Sequence, residues 1–169
     1  MPSSEDAKTP ELEKRILVLE DIESIRKLKA RYCYLADGGI AGDIARYDEL
    51  VAHFADGGWV DFEGFGVHKG KEALGRFFKE LVHSLWSYAA HMAVNPVIEV
   101  DGERARGTWF VHVACTTRKA NRAVWVQGKY DEEYVKVGGE WKWQSIRFTP
   151  DFFTPIEEGW ARTRFMSLE

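Results

Sequence analysis

The chain has 169 residues, a formal charge of −4 and only two cysteines. This excludes a disulfide scaffold and argues against a nucleic-acid partner, whose phosphates need a concentrated basic face. Its length suits one domain with its own core, and 45% apolar with 30% charged residues is an ordinary soluble composition.

Residues 1–8 are polar and are expected to form a disordered tail, with a single domain over 9–169. Thr9 and Pro10 read as an N-cap and first helical residue. Leu12, Ile16, Leu19, Ile22, Ile25, Leu28, Tyr32 and Leu35 follow in steps of three and four, which predicts an amphipathic helix to about Ala36. Glu20-Asp21 is a candidate break and Gly38-Gly39 a candidate stop. The basic cluster RKLKAR (26–31) is interrupted by apolar positions and reads as a solvated helix face. Asp37 then falls at the helix C-terminus, where the dipole disfavours a negative charge by about 0.3–1 kcal/mol. An acid in that place needs a reason.

A second helix is expected from Asp43, with Ile44, Tyr47, Leu50, Val51 and Phe54 inward. GWVDFEGFGV (58–67) reads as a short strand with a glycine-rich turn, and KEALGRFFKELVHSLW (71–86) as a third helix. From Tyr88 the period changes to alternation. AAHMAVN is a strand, and two hairpins follow, turning at Asp101-Gly102 and at Gly138-Gly139. A short helix is expected after Pro155. The order predicts an α+β domain, with helices on one face of a curved antiparallel sheet. No apolar run approaches a membrane span and the first residues lack an apolar signal core, so a cytoplasmic protein without a membrane partner is expected.

This layout resembles the SnoaL-like branch of the nuclear transport factor 2-like superfamily. Three segments carry the resemblance: EDIESIRKLKARYCYLADGG, AAHMAVNPVIEVDGERARGTW and GKYDEEYVKVGGEWKWQSI. It implies a cone-shaped α+β barrel, in which a strongly bent, mostly antiparallel sheet and three N-terminal helices enclose a pocket. The first two segments look like those of the lyases bile-acid 7α-dehydratase, hexachlorocyclohexane dehydrochlorinase and scytalone dehydratase. There an Asp from the first helix pairs with a His from a strand, which implies the pair Asp37 and His91 here. Tyr32 keeps the five-residue spacing to Asp37 seen in the bile-acid enzyme. FFTP (152–155) resembles the dehydrochlorinase tail, and Arg147 lies roughly where the bile-acid enzyme uses a late Arg. The resemblance also implies a homo-oligomer, with a trimer through the outer sheet face favoured over a dimer.

The chemistry is consistent with these residues. Elimination needs a base to take a proton, and neutral imidazole is the natural one near neutral pH. A carboxylate can fix its tautomer and stabilise the imidazolium that forms. Asp37's helix-end penalty would then be offset by a partner from the sheet. Each residue also has a plain structural reading: a turn residue for Asp37, a satisfied core histidine for His91, a core ring for Tyr32. Candidate walls of a substrate pocket are Trp59, Phe62, Phe65, Trp86, Trp125, Tyr130, Phe148 and Phe152, with His112 beside them. The pattern of 124–130 leaves open which strand face is inside. Ligand spacing for a metal and a glycine-rich nucleotide loop are both lacking, so no cofactor is expected. The expected function is a cofactor-independent lyase that expels water, halide or a small carbonyl such as formaldehyde from a hydrophobic cyclic or aromatic molecule. The alternatives are an isomerase or polyketide cyclase using the same pocket, or a non-catalytic subunit like the β subunits of ring dioxygenases.

Overall fold

The protein is described here from a computed structural model over residues 8–167. The expected tail falls outside the described residues except for Lys8, which opens the first helix. That helix, α1 (Lys8–Ile40), runs without a break at Glu20-Asp21. Its apolar stripe divides in two. Ile25, Leu28, Tyr32 and Leu35 are buried, whereas Leu12, Ile16 and Leu19 are 53–64% exposed. The expected inward face of the first turns therefore faces solvent, because α1 first meets the sheet near Asp21. There Trp141 Nε1–H donates to the Asp21 carboxylate at 2.9 Å and Lys136 pairs with it at 2.5 Å.

Gly38 and Gly39 do not stop the helix, which closes beyond them at Gly42, φ +116°. Their use is in packing. A Cβ on Gly39 would stand 2.4 Å from the ring of Tyr47, so glycine admits the second helix, α2 (Ala45–Ala52), against α1. A third helix, α3, spans 71–85. It is α-helical over Lys71–Arg76, π-helical over Phe77–Val82 and ends in a short turn over His83–Leu85. Phe77 and Phe78, three and four residues after the buried Leu74, both face inward.

Six strands form one mixed sheet: β1 (Phe54–Phe62), β2 (Gly66–Lys69), β3 (Trp86–Asp101), β4 (Arg104–Thr117), β5 (Ala123–Val137) and β6 (Glu140–Pro155), in the order β2-β1-β6-β5-β4-β3. The predicted hairpins are present, with Gly102 at φ +58° and Gly138 at φ +61° in their turns. AAHMAVN and the strand after it are one strand, β3, irregular between Val94 and Val97, where Asn95 takes φ +51°. The pairing of β1 with β6 is parallel, which alternation alone cannot announce. With β2 and β3 at its two edges the sheet is curved but not closed, so the expected barrel is an open cone. The segment after Pro155 forms turns instead of the expected helix. It is held to β6 by Phe153 N–H to Arg164 O and Met166 N–H to Phe153 O, both 2.9 Å. Among the described residues no helix is long and apolar enough to cross a membrane.

Candidate active site

The inner face of the sheet is defined by one row of paired residues. His91 of β3 lies opposite Val113 of β4, Val113 opposite Val126 of β5, and Val126 opposite Phe153 of β6. All four line a single cavity of about 80 Å³. Tyr32 from α1, Phe77 and Phe78 from α3, and Phe62 from β1 close it from the other side. The walls are almost wholly aromatic and aliphatic. The polar side chains among them are those of Tyr32, His91, Cys115 and Tyr130.

Asp37 grips His91 at two points. Its Oδ1 accepts a 2.5 Å bond from the ring Nδ1–H, and its Oδ2 accepts a 3.0 Å bond from the His91 backbone N–H. The second bond depends on β3 being an edge strand, whose N–H groups on that side have no neighbouring strand. Together they fix both backbone and ring, and they assign the ring proton to Nδ1. Nε2 carries no hydrogen bond among the described residues. The position of Asp37 near a helix end is thereby explained: the side chain reaches across to the sheet and supplies His91 with an acceptor.

Tyr32 stands edge-on to the His91 ring, with centroids 6.1 Å apart at 89°. Burial pushes its phenol well above the ordinary tyrosine range, and a hydrogen bond with Tyr130 only partly offsets this. The phenol is therefore a protonated donor at any physiological pH. Tyr130 is held high by burial in the same way. Burial also pushes the Cys115 thiol up to about 12, so the sulfur facing the cavity is an inert thiol.

Beneath the two phenols lies a buried ion pair. Lys29 Nζ is 2.5 Å from Glu132 Oε1 and sits 3.5 Å from the Tyr130 ring centroid and 4.2 Å from that of Tyr32. Glu132 also accepts from Tyr134 O–H and, at 3.1 Å, from Trp143 Nε1–H. Lys29 belongs to the basic cluster that reads as a solvated face; it is instead fully buried. Its spacing, four residues after Ile25 and three before Tyr32, places it on the buried stripe, while its partner Glu132 comes from a distant strand.

Of the expected pocket residues, Phe62, Phe65, Trp86, Tyr130 and Phe148 line the cavity with Asp37's partner His91 and Tyr32. Five others stand outside it. Trp125 pairs across the sheet with Ala114, and His112 with Gln127, all on the outer face, since their neighbours Val126 and Val113 face in. Trp59 and Arg147 also lie outside, where Arg147 pairs with Asp61 at 3.2 Å and its guanidinium rests over the Trp59 ring. Phe152 is displaced by a bulge. The register of β5 against β6 shifts between Gln127 and Gly128, which reverses the alternation after Phe148. Phe153 therefore faces the cavity, while Phe152 stacks on Trp160 with centroids 5.1 Å apart. Gly128 belongs to the same irregularity, for a Cβ there would meet Thr149 O at 2.4 Å and the Phe148 ring at 2.7 Å. Phe77 and Phe78, which the helical spacing of 71–86 places on its apolar face, also line the cavity, as does Phe153, which only the bulge brings inward.

The family model described as the SnoaL-like domain matches residues 18–147. The chain belongs to that family. Solved structures of similar fold include a hexachlorocyclohexane dehydrochlorinase of type 2, with TM-score 0.74 and 21% identity over 82% of this chain and 90% of that one. The type 3 dehydrochlorinase from Novosphingobium barchaimii gives 0.72 and 22% over 82% and 91%. A proposed scytalone dehydratase from Novosphingobium aromaticivorans gives 0.72 and 21% over 81% and 88%. At these identities the likeness is one of fold. The chain's SnoaL-like site is empty of metal-binding clusters: among the described residues no three His, Cys, Asp or Glu side chains converge.

Proposed function

We propose that this SnoaL-like protein is a cofactor-independent lyase in which His91 is the general base. His91 Nε2 takes a proton from a carbon of the bound molecule. The electron pair left behind forms a double bond as the leaving group departs. Asp37 holds the ring and stabilises the imidazolium. Tyr32, kept protonated by its burial, donates to the leaving group or to a developing oxyanion. The observation that carries this reading is the two-point grip of Asp37 on His91, which leaves Nε2 free beside an apolar cavity.

The cavity indicates the substrate class. A cavity of about 150 Å³ can hold a benzene ring, so about 80 Å³ suits a molecule of at most one ring and requires its aromatic walls to part slightly. The bound molecule is apolar, with one polar substituent directed at Tyr32 and His91. An isomerase is the second reading, favoured by the scarcity of polar side chains in the cavity: one base that returns its proton to a neighbouring carbon needs no site for a departing group. The exposed Met92, Val94, Phe110 and Trp125 on the outer sheet face support assembly with further copies of the chain, a trimer or a dimer. Light scattering that gives 19.4 kDa, the mass of one chain, at micromolar concentration contradicts that assembly.

The test of function is a panel of neutral single-ring compounds, each bearing a halide or hydroxyl β to an acidic C–H, analysed by mass spectrometry. Products lighter by HX or water are expected for at least one class. Products of unchanged mass that carry solvent deuterium identify the isomerase instead. If no compound of the panel shows either outcome, His91 is rejected as a base for this class.

A further inference from the structure

Arg118, just beyond the end of β4, takes no part in lining the cavity, yet it joins the two chain segments that bear the candidate pair. Its Nη2–H groups donate to Ile40 O at 3.1 Å and Trp86 O at 2.7 Å, and its Nε–H donates to His83 O at 2.7 Å. Its backbone N–H donates to Leu85 O at 2.8 Å. These carbonyls belong to three elements. Ile40 ends α1, three residues after Asp37; His83 is in the last turn of α3; Trp86 opens β3, five residues before His91. His83 is part of the same junction, its Nδ1 lying 3.3 Å from Gly39 O and 3.5 Å from Arg118 Nη2.

The last carbonyls of α1 are thereby all provided for. Asp37 O accepts from Ala41 N–H, Gly38 O from Asp43 N–H, Gly39 O from Gly42 N–H, and Ile40 O from Arg118. α1 has no basic residue of its own in its last turn. Arg118 brings a positive charge there from elsewhere in the chain, which opposes the dipole penalty on the Asp37 carboxylate.

We propose that Arg118 is the positioning residue of the Asp37–His91 pair: one guanidinium fixes the end of α1 to the start of β3, and so sets the distance between carboxylate and imidazole. Working geometries of this kind tolerate displacements of only about 0.5 Å. A planar fork that serves three carbonyls is something Arg provides and Lys does not. The catalytic importance of the arrangement rests on the reading of His91 as base, but the positioning can be tested without turnover.

The readout is the ring ¹⁵N spectrum of His91 in the full chain carrying ¹⁵N-histidine, assigned by its disappearance in His91→Gln. Wild type is expected to show His91 as the single Nδ1–H tautomer. In Arg118→Gln the ring is expected to become a mixture of both tautomers, while the circular dichroism of the fold is retained. Arg118→Lys is expected to lie between the two. A merely structural role for Arg118 lowers the melting temperature and leaves the ring pattern of the folded protein as it was; that result overturns the proposal. If Arg118→Gln does not fold, Arg118→Lys decides in the same way, a partial shift supporting the proposal and an unchanged pattern overturning it. Loss of turnover in His91→Ala together with an unchanged ring pattern in folded Arg118→Gln refutes the positioning role and leaves the lyase reading intact.

Discussion

The two halves of α1 carry the same apolar spacing and have opposite fates. Leu12, Ile16 and Leu19 lie along the first half and are exposed; Ile25, Leu28, Tyr32 and Leu35 continue the same steps and are buried. Periodicity reports the helix in both cases, because a 3.6-residue repeat is a property of the chain itself. It does not report what covers the stripe. In the second half the cover is the sheet, and the enclosed side chains become Tyr32, the buried Lys29 and, one turn from the end, Asp37. In the first half the described residues supply no cover. The candidate site's polar groups on this helix lie where it is enclosed, and low dielectric is what gives a phenol or an ion pair its altered behaviour.

The largest contrast is between two aspartates on this helix. Asp37→Asn keeps the shape but offers His91 an amide that cannot stabilise an imidazolium. Turnover on whichever panel compound is accepted is expected to fall by about 10²–10⁴-fold, the range for a general-base system. Asp21→Asn, which disturbs Trp141 and Lys136 far from the cavity, is expected to change turnover less than about threefold, roughly 0.7 kcal/mol. Equal losses in the two variants refute the assignment.

Next comes the ion pair of the buried half. Lys29→Met leaves the Glu132 carboxylate buried without its cation, and urea denaturation is expected to show a loss of about 3–5 kcal/mol. Adding Glu132→Gln removes the unpaired charge and is expected to recover most of that loss. A double variant as unstable as the single one shows that packing of the lysine chain, and not its charge, is what matters.

Leucines compare the halves more directly. Leu35→Ala empties a site that is 2% exposed and is expected to cost about 2–5 kcal/mol. Leu19→Ala acts at a site 64% exposed and is expected to stay within about 0.5 kcal/mol for an isolated chain. A large, concentration-dependent effect of Leu19→Ala reveals that another copy covers the first half.

The smallest effect concerns pH. Burial lowers the pKa of His53, and Arg31 of the enclosed half lowers it further, against Glu49. The unfolded chain therefore takes up the proton before the folded one does. The stability contributed by neutral His53 is present above the unfolded histidine pKa, about 6.5, and is lost as pH falls through the lower folded value. His53→Gln is expected to flatten the acid limb of a plot of melting temperature against pH. A steeper acid limb in that variant reverses the sign of the argument.

Much of this was legible in the residues. Tyr32, Asp37 and His91 converge as their resemblance to known lyases implies, and both hairpin glycines turn where expected. The failures have identifiable causes. Gly38-Gly39 reads as a stop, yet Gly39 serves to admit Tyr47, a contact between helices that local pattern does not contain. Period two separates Trp125 from Val126 but is silent on which faces inward, and the bulge in β6 exchanges Phe152 for Phe153. Lys29 is grouped with its solvated neighbours by residue type, although its helical phase puts it on the buried stripe, and its partner, Glu132, is 103 residues away. What was hidden in each case was tertiary: a long-range partner, a bulge or the orientation of a sheet.

Every expectation for turnover rests on His91, gripped by Asp37, being the base. That role is tested most directly by His91→Ala, assayed on the panel compound that wild type converts, with folding checked by circular dichroism. A folded protein whose turnover has fallen by about 10²–10⁴-fold is expected. A folded His91→Ala protein with near-normal turnover contradicts that role.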